Sequence, residues 1–163
     1  MKKVLKILLL LILTLFIIIQ FIRPEKNRSN GLSTNDISTK YPVPDSIQTI
    51  FKVACYDCHS NNTEYPWYSE IQPIAWWLND HIVYGKKDLN FSEFTTYRIH
   101  KQYRKLEEIN ELVKDNSMPL PSYTRIHKNA ILNDNQKLAI AKWTTSLRDS
   151  IEAHHPPDSL VRK

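Results

Sequence analysis

The sequence is short of glycine and cysteine, and each shortage excludes a class of site. Among its 163 residues only Gly31 and Gly85 are glycines, so no glycine-rich loop can cradle a phosphate. The two cysteines, Cys55 and Cys58, are too few to supply the four ligands of a structural zinc site. We therefore expect neither a nucleotide ligand nor a zinc-stabilised fold.

Excess positive charge is absent outside the N-terminal segment. The formal net charge is +5, but residues 1–28 alone carry six basic side chains against the single Glu25. The remaining residues hold equal numbers of basic and acidic side chains, so they offer a polyanion no net attraction. Nucleic acid is therefore not an expected partner. The length allows one domain preceded by a short N-terminal element.

The most informative stretch of the sequence is Cys55-Tyr56-Asp57-Cys58-His59, which has the form C-x-x-C-H. This spacing is typical of the attachment site of a c-type haem. Two thiols one helical turn apart can each add to a vinyl group of the haem, and the next histidine then lies beneath the iron. The sequence therefore predicts one covalent haem c, with Cys55 and Cys58 in the thioethers and His59 as the proximal iron ligand.

A cysteine pair at this spacing has two other interpretations. In an exported protein it can form a disulfide, and in a thioredoxin-like protein it is the redox motif. The thioredoxin-like motif follows a strand, whereas a pattern of helical period precedes Cys55. The adjacent His59 favours haem attachment over both alternatives.

The N-terminus has the layout of a secretory signal. Lys2, Lys3 and Lys6 precede an apolar run from Ile7 to Ile22. The sequence Gln20–Pro24 offers no cleavage site of the small-x-small type. We therefore predict an uncleaved single transmembrane helix.

These features divide the chain into four parts. Residues 1–23 are the predicted anchor and the polar residues 24–43 a linker. Residues 44–151 are the predicted haem-binding domain, and residues 152–163 a flexible tail. Because bacteria attach haem covalently outside the cytoplasmic membrane, we expect a protein of the inner membrane whose domain faces the periplasm or exterior.

Four helices are predicted within the domain, which makes it all-α. The first begins at Pro44 or Asp45 and runs into the haem motif, and the second begins at Pro73 and ends at Gly85. A capping box at Asn90–Glu93 opens the third, which runs to about Val113, and a second capping box at Asn133 and Gln136 opens the last. The first helix has the apolar face Ile47, Ile50, Phe51 and Ala54, and the last has Ile140, Trp143, Leu147 and Ile151. We expect the first and last helices to pack together around the haem.

Met118 is the predicted distal iron ligand. It is the only methionine besides the initiator, and it lies in a loop that Pro119 and Pro121 keep out of a helix. A thioether is a suitable soft ligand for haem iron, although a buried methionine can also simply fill a gap in a core. His81 and His127 are the alternative distal ligands.

The order of these motifs resembles that of class I c-type cytochromes. More closely, the chain is similar to the membrane-anchored bacterial haem-binding domain family. The matching pieces cover roughly residues 45–145 and are Cys55-x-x-Cys58-His59-Ser60-Asn61, Tyr65–Tyr68, Pro73-x-x-Trp76, His81-x-x-x-Gly85, Leu89–Ser92, Met118-Pro119-x-x-x-Tyr123, and His127 with Ala130-x-Leu132. The resemblance implies a covalent haem and a periplasm-facing domain, but no particular reaction.

The function expected from these features is one-electron transfer by a class I cytochrome c-like domain with His59 and Met118 as iron ligands. It would exchange electrons with a redox partner protein that the sequence does not name. The alternative is a haem-based sensor or peroxidase-like enzyme with a displaceable distal ligand. That alternative needs an acid–base or hydrogen-bonding group such as His81, His100 or His127 near the iron.

Overall fold

The computed structural model describes residues 1–161, and within them the only regular structure is helical. This confirms the all-α prediction. Short 3₁₀ turns and loops join the α-helices, which are α1 (Lys2–Ile19), α2 (Asp45–Ala54), α3 (Tyr56–His59), α4 (Ile74–Asp88), α5 (Ile99–Lys114), α6 (Pro121–Thr124) and α7 (Asp134–His154).

The predicted transmembrane helix is wrong. Within the described residues, no helix is both long and apolar enough to cross a membrane. Helix α1 is 18 residues long and has Lys2, Lys3 and Lys6 in its first turns. Its uncharged part, from Ile7 to Ile19, is shorter than the ~20 apolar residues that a spanning helix needs.

The core forms where α2 packs against α7, as the sequence predicts. The four apolar residues expected on each helix face are buried. The ring centroids of Phe51 and Trp143 lie 5.3 Å apart in an edge-to-face arrangement, a favourable geometry for two aromatic rings. Helix α5 packs along α7 and adds Leu106 and Ile109 to the same core. The first and last helices of the domain therefore pack together as predicted, but not around the candidate haem site described below, whose lining includes Ala54 of α2 and no residue of α7.

The start of α7 confirms its predicted capping box. The Asn133 side chain accepts a hydrogen bond from the Gln136 backbone N–H, and the Gln136 side chain accepts one from the Asn133 N–H, both at 2.9 Å. Two of the N–H groups that a helix start leaves unpaired are thereby satisfied.

The predicted helix from Asn90 to Val113 is broken in two. Asn90 caps only the 3₁₀ turn Phe91–Thr96, and α5 begins at Ile99. The backbone N–H of Asn90 donates to Tyr97 Oη at 2.8 Å instead of to Glu93, so the capping box does not close. Tyr97 and Arg98 are extended, which separates the two helical pieces.

The polar segment 24–43 contributes to the packing although its composition suggests a linker. Ile37 and Tyr41 are buried in the core, and Tyr41 Oη donates to Gln102 Oε1 at 2.6 Å. Asn27 is fastened to the loop after the haem motif, where its side chain donates to Ser60 O at 2.9 Å. The segment therefore lies on the domain over much of its length.

The predicted tail also begins in regular structure, since α7 continues to His154. A 3₁₀ turn at Pro157–Ser159 follows. The last two residues of the predicted tail lie outside the described residues.

Candidate functional site

One cavity of about 490 Å³ opens between the C-x-x-C-H motif, α4 and the loop that follows α5. Its size lies within the range of ~300–1,000 Å³ that is typical of ligand pockets. The lining residues are Ala54, Cys55, Asp57, Cys58, His59, Trp77, Asp80, His81, Tyr84, Gly85, Asp88, Met118, Pro119, Leu120 and Tyr123. The fold thus brings three separate parts of the chain to one site.

Most of the residues that the sequence singles out meet at this cavity. Cys55, Cys58, His59 and Met118 all line it, and so does His81. A second cavity of about 60 Å³ shares Cys55, His59 and Met118 and is otherwise lined mainly by α5 and its neighbours. The remaining candidate ligand, His127, lines neither cavity.

The motif is a short helical turn that follows α2 after a break at Cys55. Cys55 leaves the helical conformation with φ −128° and ψ −42°, and its carbonyl then accepts from the N–H groups of Cys58 at 3.2 Å and His59 at 2.9 Å. This turn sets both thiols and the imidazole at the cavity. The C-x-x-C-H spacing seen in the sequence therefore corresponds to a single helical turn.

The two thiols are unpaired, so the structure has no disulfide between them. Burial, with a smaller contribution from the nearby Cys58, raises the pKa of Cys55 to about 12. Burial together with Asp57 raises the pKa of Cys58 to about 11. A thioredoxin-like motif needs a thiol of lowered pKa, so this environment disfavours that interpretation.

His59 is held in one tautomer. Its Nδ1 lies 3.1 Å from Gly85 O and 3.0 Å from Leu89 O, and a carbonyl can only accept a hydrogen bond. Nδ1 therefore carries the proton and Nε2 is free to bind a metal. Burial lowers the pKa of His59 although the two carbonyls oppose this, so the neutral form that binds iron is favoured.

Gly85 has a different role from the one predicted for it. It lies inside α4 rather than at its end, and a Cβ at this position would come within 2.6 Å of Cys58 O. Only glycine lets α4 approach the motif closely enough for its carbonyl to reach His59. The sequence shows a glycine in a helical pattern, a signal that fits close packing as well as a helix end.

Met118 lies in a loop tied to the end of α5. Its backbone N–H donates to Leu112 O at 2.9 Å, and the preceding Asn116 turns the chain with a positive φ of 65°. Asparagine tolerates this conformation better than most residues. The loop thereby brings the Met118 side chain to both cavities.

The two alternative histidines have different surroundings. His81 lines the cavity, and its Nδ1 lies 2.8 Å from Trp77 O and therefore donates to it. His127 is stacked on Tyr123 with ring centroids 4.1 Å apart, and its Nε2 lies 2.6 Å from Tyr68 Oη. The structure thus brings His81, but not His127, to the other candidate ligands.

Sequence reasoning missed the contact between Asp57 and Tyr123. Tyr123 Oη donates to Asp57 Oδ2 at 2.7 Å, while the N–H of Glu64 donates to Asp57 Oδ1 at 2.9 Å. Burial and the adjacent carboxylate raise the pKa of Tyr123, so its phenol stays protonated. This bond joins the Met118 loop to the C-x-x-C-H motif, and no pattern in the sequence pairs residues so far apart.

A comparison with known families agrees with these features. Residues 14–146 match the model of a haem-binding domain, and this is well over half of the chain. The chain belongs to this haem-binding domain family. The prediction that the protein binds haem is thereby confirmed. The searches with this chain found no matching curated protein and no matching solved structure.

The residues of this haem-binding domain fit a haem. Two thiols, an imidazole with Nε2 free and a thioether line one cavity of suitable size. These are the groups through which proteins attach haem c and ligate its iron. His59 also has the hydrogen bond from its other ring nitrogen that metal-binding histidines almost always have.

Proposed function

We propose that this haem-binding domain carries one haem c, attached through Cys55 and Cys58, and transfers single electrons. The iron of the bound haem supplies a centre that accepts and releases one electron. The observation that carries the proposal is that Cys55, Cys58 and His59 line a single cavity, with the proton of His59 held on Nδ1. A non-covalent haem site would have no use for the two thiols.

The residues around the cavity have distinct roles in this function. Cys55 and Cys58 would hold the cofactor, and His59 would supply a nitrogen ligand to the iron. Met118 would supply a thioether ligand, which favours the reduced iron and raises the potential. Trp77 and Leu120 line the cavity with apolar side chains, and apolar surroundings would raise the potential further.

The compartment follows from the attachment chemistry. Since bacteria form the thioethers outside the cytoplasmic membrane, we propose that the domain works in the periplasm or at the cell exterior. Its electrons would come from and go to a redox partner protein. The apolar segment Ile7–Ile22 behind Lys2, Lys3 and Lys6 supports export, since it has the layout of a secretory signal.

A test of attachment uses the full chain, exported in a bacterium with a haem-maturation system. Haem should stay with the denatured polypeptide through acid–organic extraction and add the mass of one haem. Cys55→Ala and Cys58→Ala should each retain one thioether at best, and the double variant should lose all covalent haem. Tyr56→Phe, within the motif, should keep both. A wild-type protein that releases its haem on extraction would refute covalent attachment.

A second function is favoured by His81. This histidine lines the cavity with its Nδ1 bound to Trp77 O, so Nε2 is the ring nitrogen that could exchange a hydrogen bond or a proton with a ligand on the iron. The domain would then be a sensor or a peroxidase-like enzyme. Carbon monoxide separates the two functions, because a ferrous protein with a firm distal ligand does not bind it, whereas an open site does.

A further inference from the structure

A buried lysine lies beside the candidate site and has no part in the function proposed above. Lys105 on α5 lines the smaller cavity together with His59, and only 3% of its surface is exposed. Lysine is almost never buried to this degree unless it is paired. Its Nζ donates to Asp88 Oδ1 at 2.7 Å and to Glu108 Oε2 at 2.5 Å.

This lysine is charged in the folded protein. Burial opposes the charge, but the hydrogen bonds from Nζ to Asp88 and Glu108 outweigh burial and raise the pKa of Lys105. Glu108 lies one turn further along the same helix, so it holds the ammonium group in place. Asp88 belongs to a different helix. The bond to Asp88 therefore ties α4 to α5.

The position of Asp88 gives this tie its significance. Asp88 is the last residue of α4, between the two residues whose carbonyls accept the proton of His59 Nδ1. Leu89 also donates its own N–H to Gly85 O at 2.8 Å, so the two carbonyls belong to one closed turn. Fastening Asp88 to α5 fixes this turn against the core.

We propose that Lys105 is a positioning residue for His59. By holding the end of α4, it keeps the Gly85 and Leu89 carbonyls directed at His59 Nδ1, and these determine the tautomer and orientation of the ring. The inference rests on the proposed role of His59 as the iron ligand. It gives α5 a role in orienting the proposed iron ligand, a role that the sequence of α5 does not indicate.

The proton on His59 Nδ1 reports on this arrangement directly. In the full-length, haem-loaded ferrous protein, its exchange with solvent can be followed by nuclear magnetic resonance. Lys105→Met should speed this exchange about tenfold, which corresponds to roughly 1.4 kcal/mol in the opening equilibrium. Lys114→Met removes an exposed lysine from the same helix and should leave the rate unchanged.

The backbone amide of Ile140, buried in the core on α7, separates positioning from general stability. In Lys105→Met we expect this amide to keep its wild-type exchange rate while the His59 proton exchanges faster. The proposal is overturned if the His59 rate is unchanged, or if it rises only in proportion to that of the Ile140 amide.

A second variant covers the case in which Lys105→Met does not fold. Asp88→Asn weakens the same tie at a side chain that is 65% exposed, so it leaves the core intact. It should speed the His59 exchange in the same direction but by a smaller factor, and an unchanged rate would overturn the proposal. A wild-type protein without covalent haem would overturn the proposed function, and the role of Lys105 with it. A haem-loaded protein in which the variants leave the His59 exchange unaltered would overturn only the role of Lys105.

Discussion

The cavity has two walls that are built in different ways. The proximal wall, residues Cys58–His59 with Gly85–Leu89, joins two helices through a glycine contact and two bonds to one imidazole. The loop wall, residues 118–123, is held mainly by one backbone bond to Leu112 and one phenol bond to Asp57.

The difference indicates how the two walls should respond to substitution. A wall with many mutually dependent contacts tolerates little change, whereas a loop with few contacts can present a different ligand. His81 lines the same cavity as Met118, so the proposed function leaves two candidate distal ligands of different character. The proximal wall would then define haem binding, and the loop wall would decide between electron transfer and ligand binding.

The largest effect is expected from Gly85→Ala in the proximal wall. The added Cβ would meet the Cys58 carbonyl at 2.6 Å, and neither backbone can move without disturbing His59. We expect a loss of about 2 kcal/mol in the free energy of unfolding, together with poor haem incorporation. Urea denaturation and the haem-to-protein ratio measure both. Ala75→Gly, elsewhere in α4, should destabilise the helix without changing haem incorporation.

Met118→Ala is expected to alter the iron without unfolding the protein. Removing the thioether should abolish the weak near-red charge-transfer band of the ferric protein, lower the potential, and let the ferrous protein bind carbon monoxide stoichiometrically. His81→Ala and His127→Ala should keep the band. An unchanged spectrum in Met118→Ala, with a changed one in His81→Ala, would show that the distal ligand is His81.

Tyr123→Phe tests how firmly the loop wall is attached. The change removes the hydrogen bond to Asp57 Oδ2 while keeping the ring that stacks on His127. We expect a loss of about 1 kcal/mol in the free energy of unfolding and a modest rise in carbon monoxide binding. Tyr84→Phe, on an exposed residue of the same cavity, should change neither quantity.

The smallest effect is a pH dependence near the proximal wall. Hydrogen bonds from Asn35, Asn61 and Ser33 lower the pKa of Glu93, although partial burial opposes them. Because the folded pKa lies below the unfolded one, the ionised group stabilises the fold above the unfolded value of about 4.3, and this contribution is lost as the pH falls.

The matching variant is Glu93→Gln. Its free energy of unfolding should be lower than that of the wild type by less than about 1 kcal/mol at neutral pH. The difference should shrink as the pH falls below about 4.3. Denaturation curves at several pH values measure it. A difference that stays constant between neutral and acidic pH would contradict the assigned role of the carboxylate.

The sequence predicts local features of this protein well. The capping box at Asn133 and the buried faces of α2 and α7 depend on residues a few positions apart, and all of them are found as expected. The motif at Cys55–His59 is local in the same sense. The family match confirms that the protein binds haem, and the part that this motif has in the binding stays a prediction.

Features that depend on distant contacts were not predictable in this way. Gly85 lies inside α4 and does not end it. A glycine is needed there because the Cys58 carbonyl, 27 positions earlier, occupies the space of a side chain. The helix expected from Asn90 is interrupted because Tyr97 takes the hydrogen bond expected of Glu93.

The N-terminal helix falls short of a membrane span because its lysines lie inside the helix rather than before it.

The fastening of Asn27 to the loop after the motif has a mechanical consequence. Asn27 bonds to Ser60, Thr63 and Tyr65, which bridges 33 residues of chain between Asn27 and Ser60. A force applied to the N-terminal segment would first load the contacts of Ile22 with Gln72 and Trp76. Once these give way, the bonds of Asn27 would pass the tension to the loop beside His59 before it reaches α2.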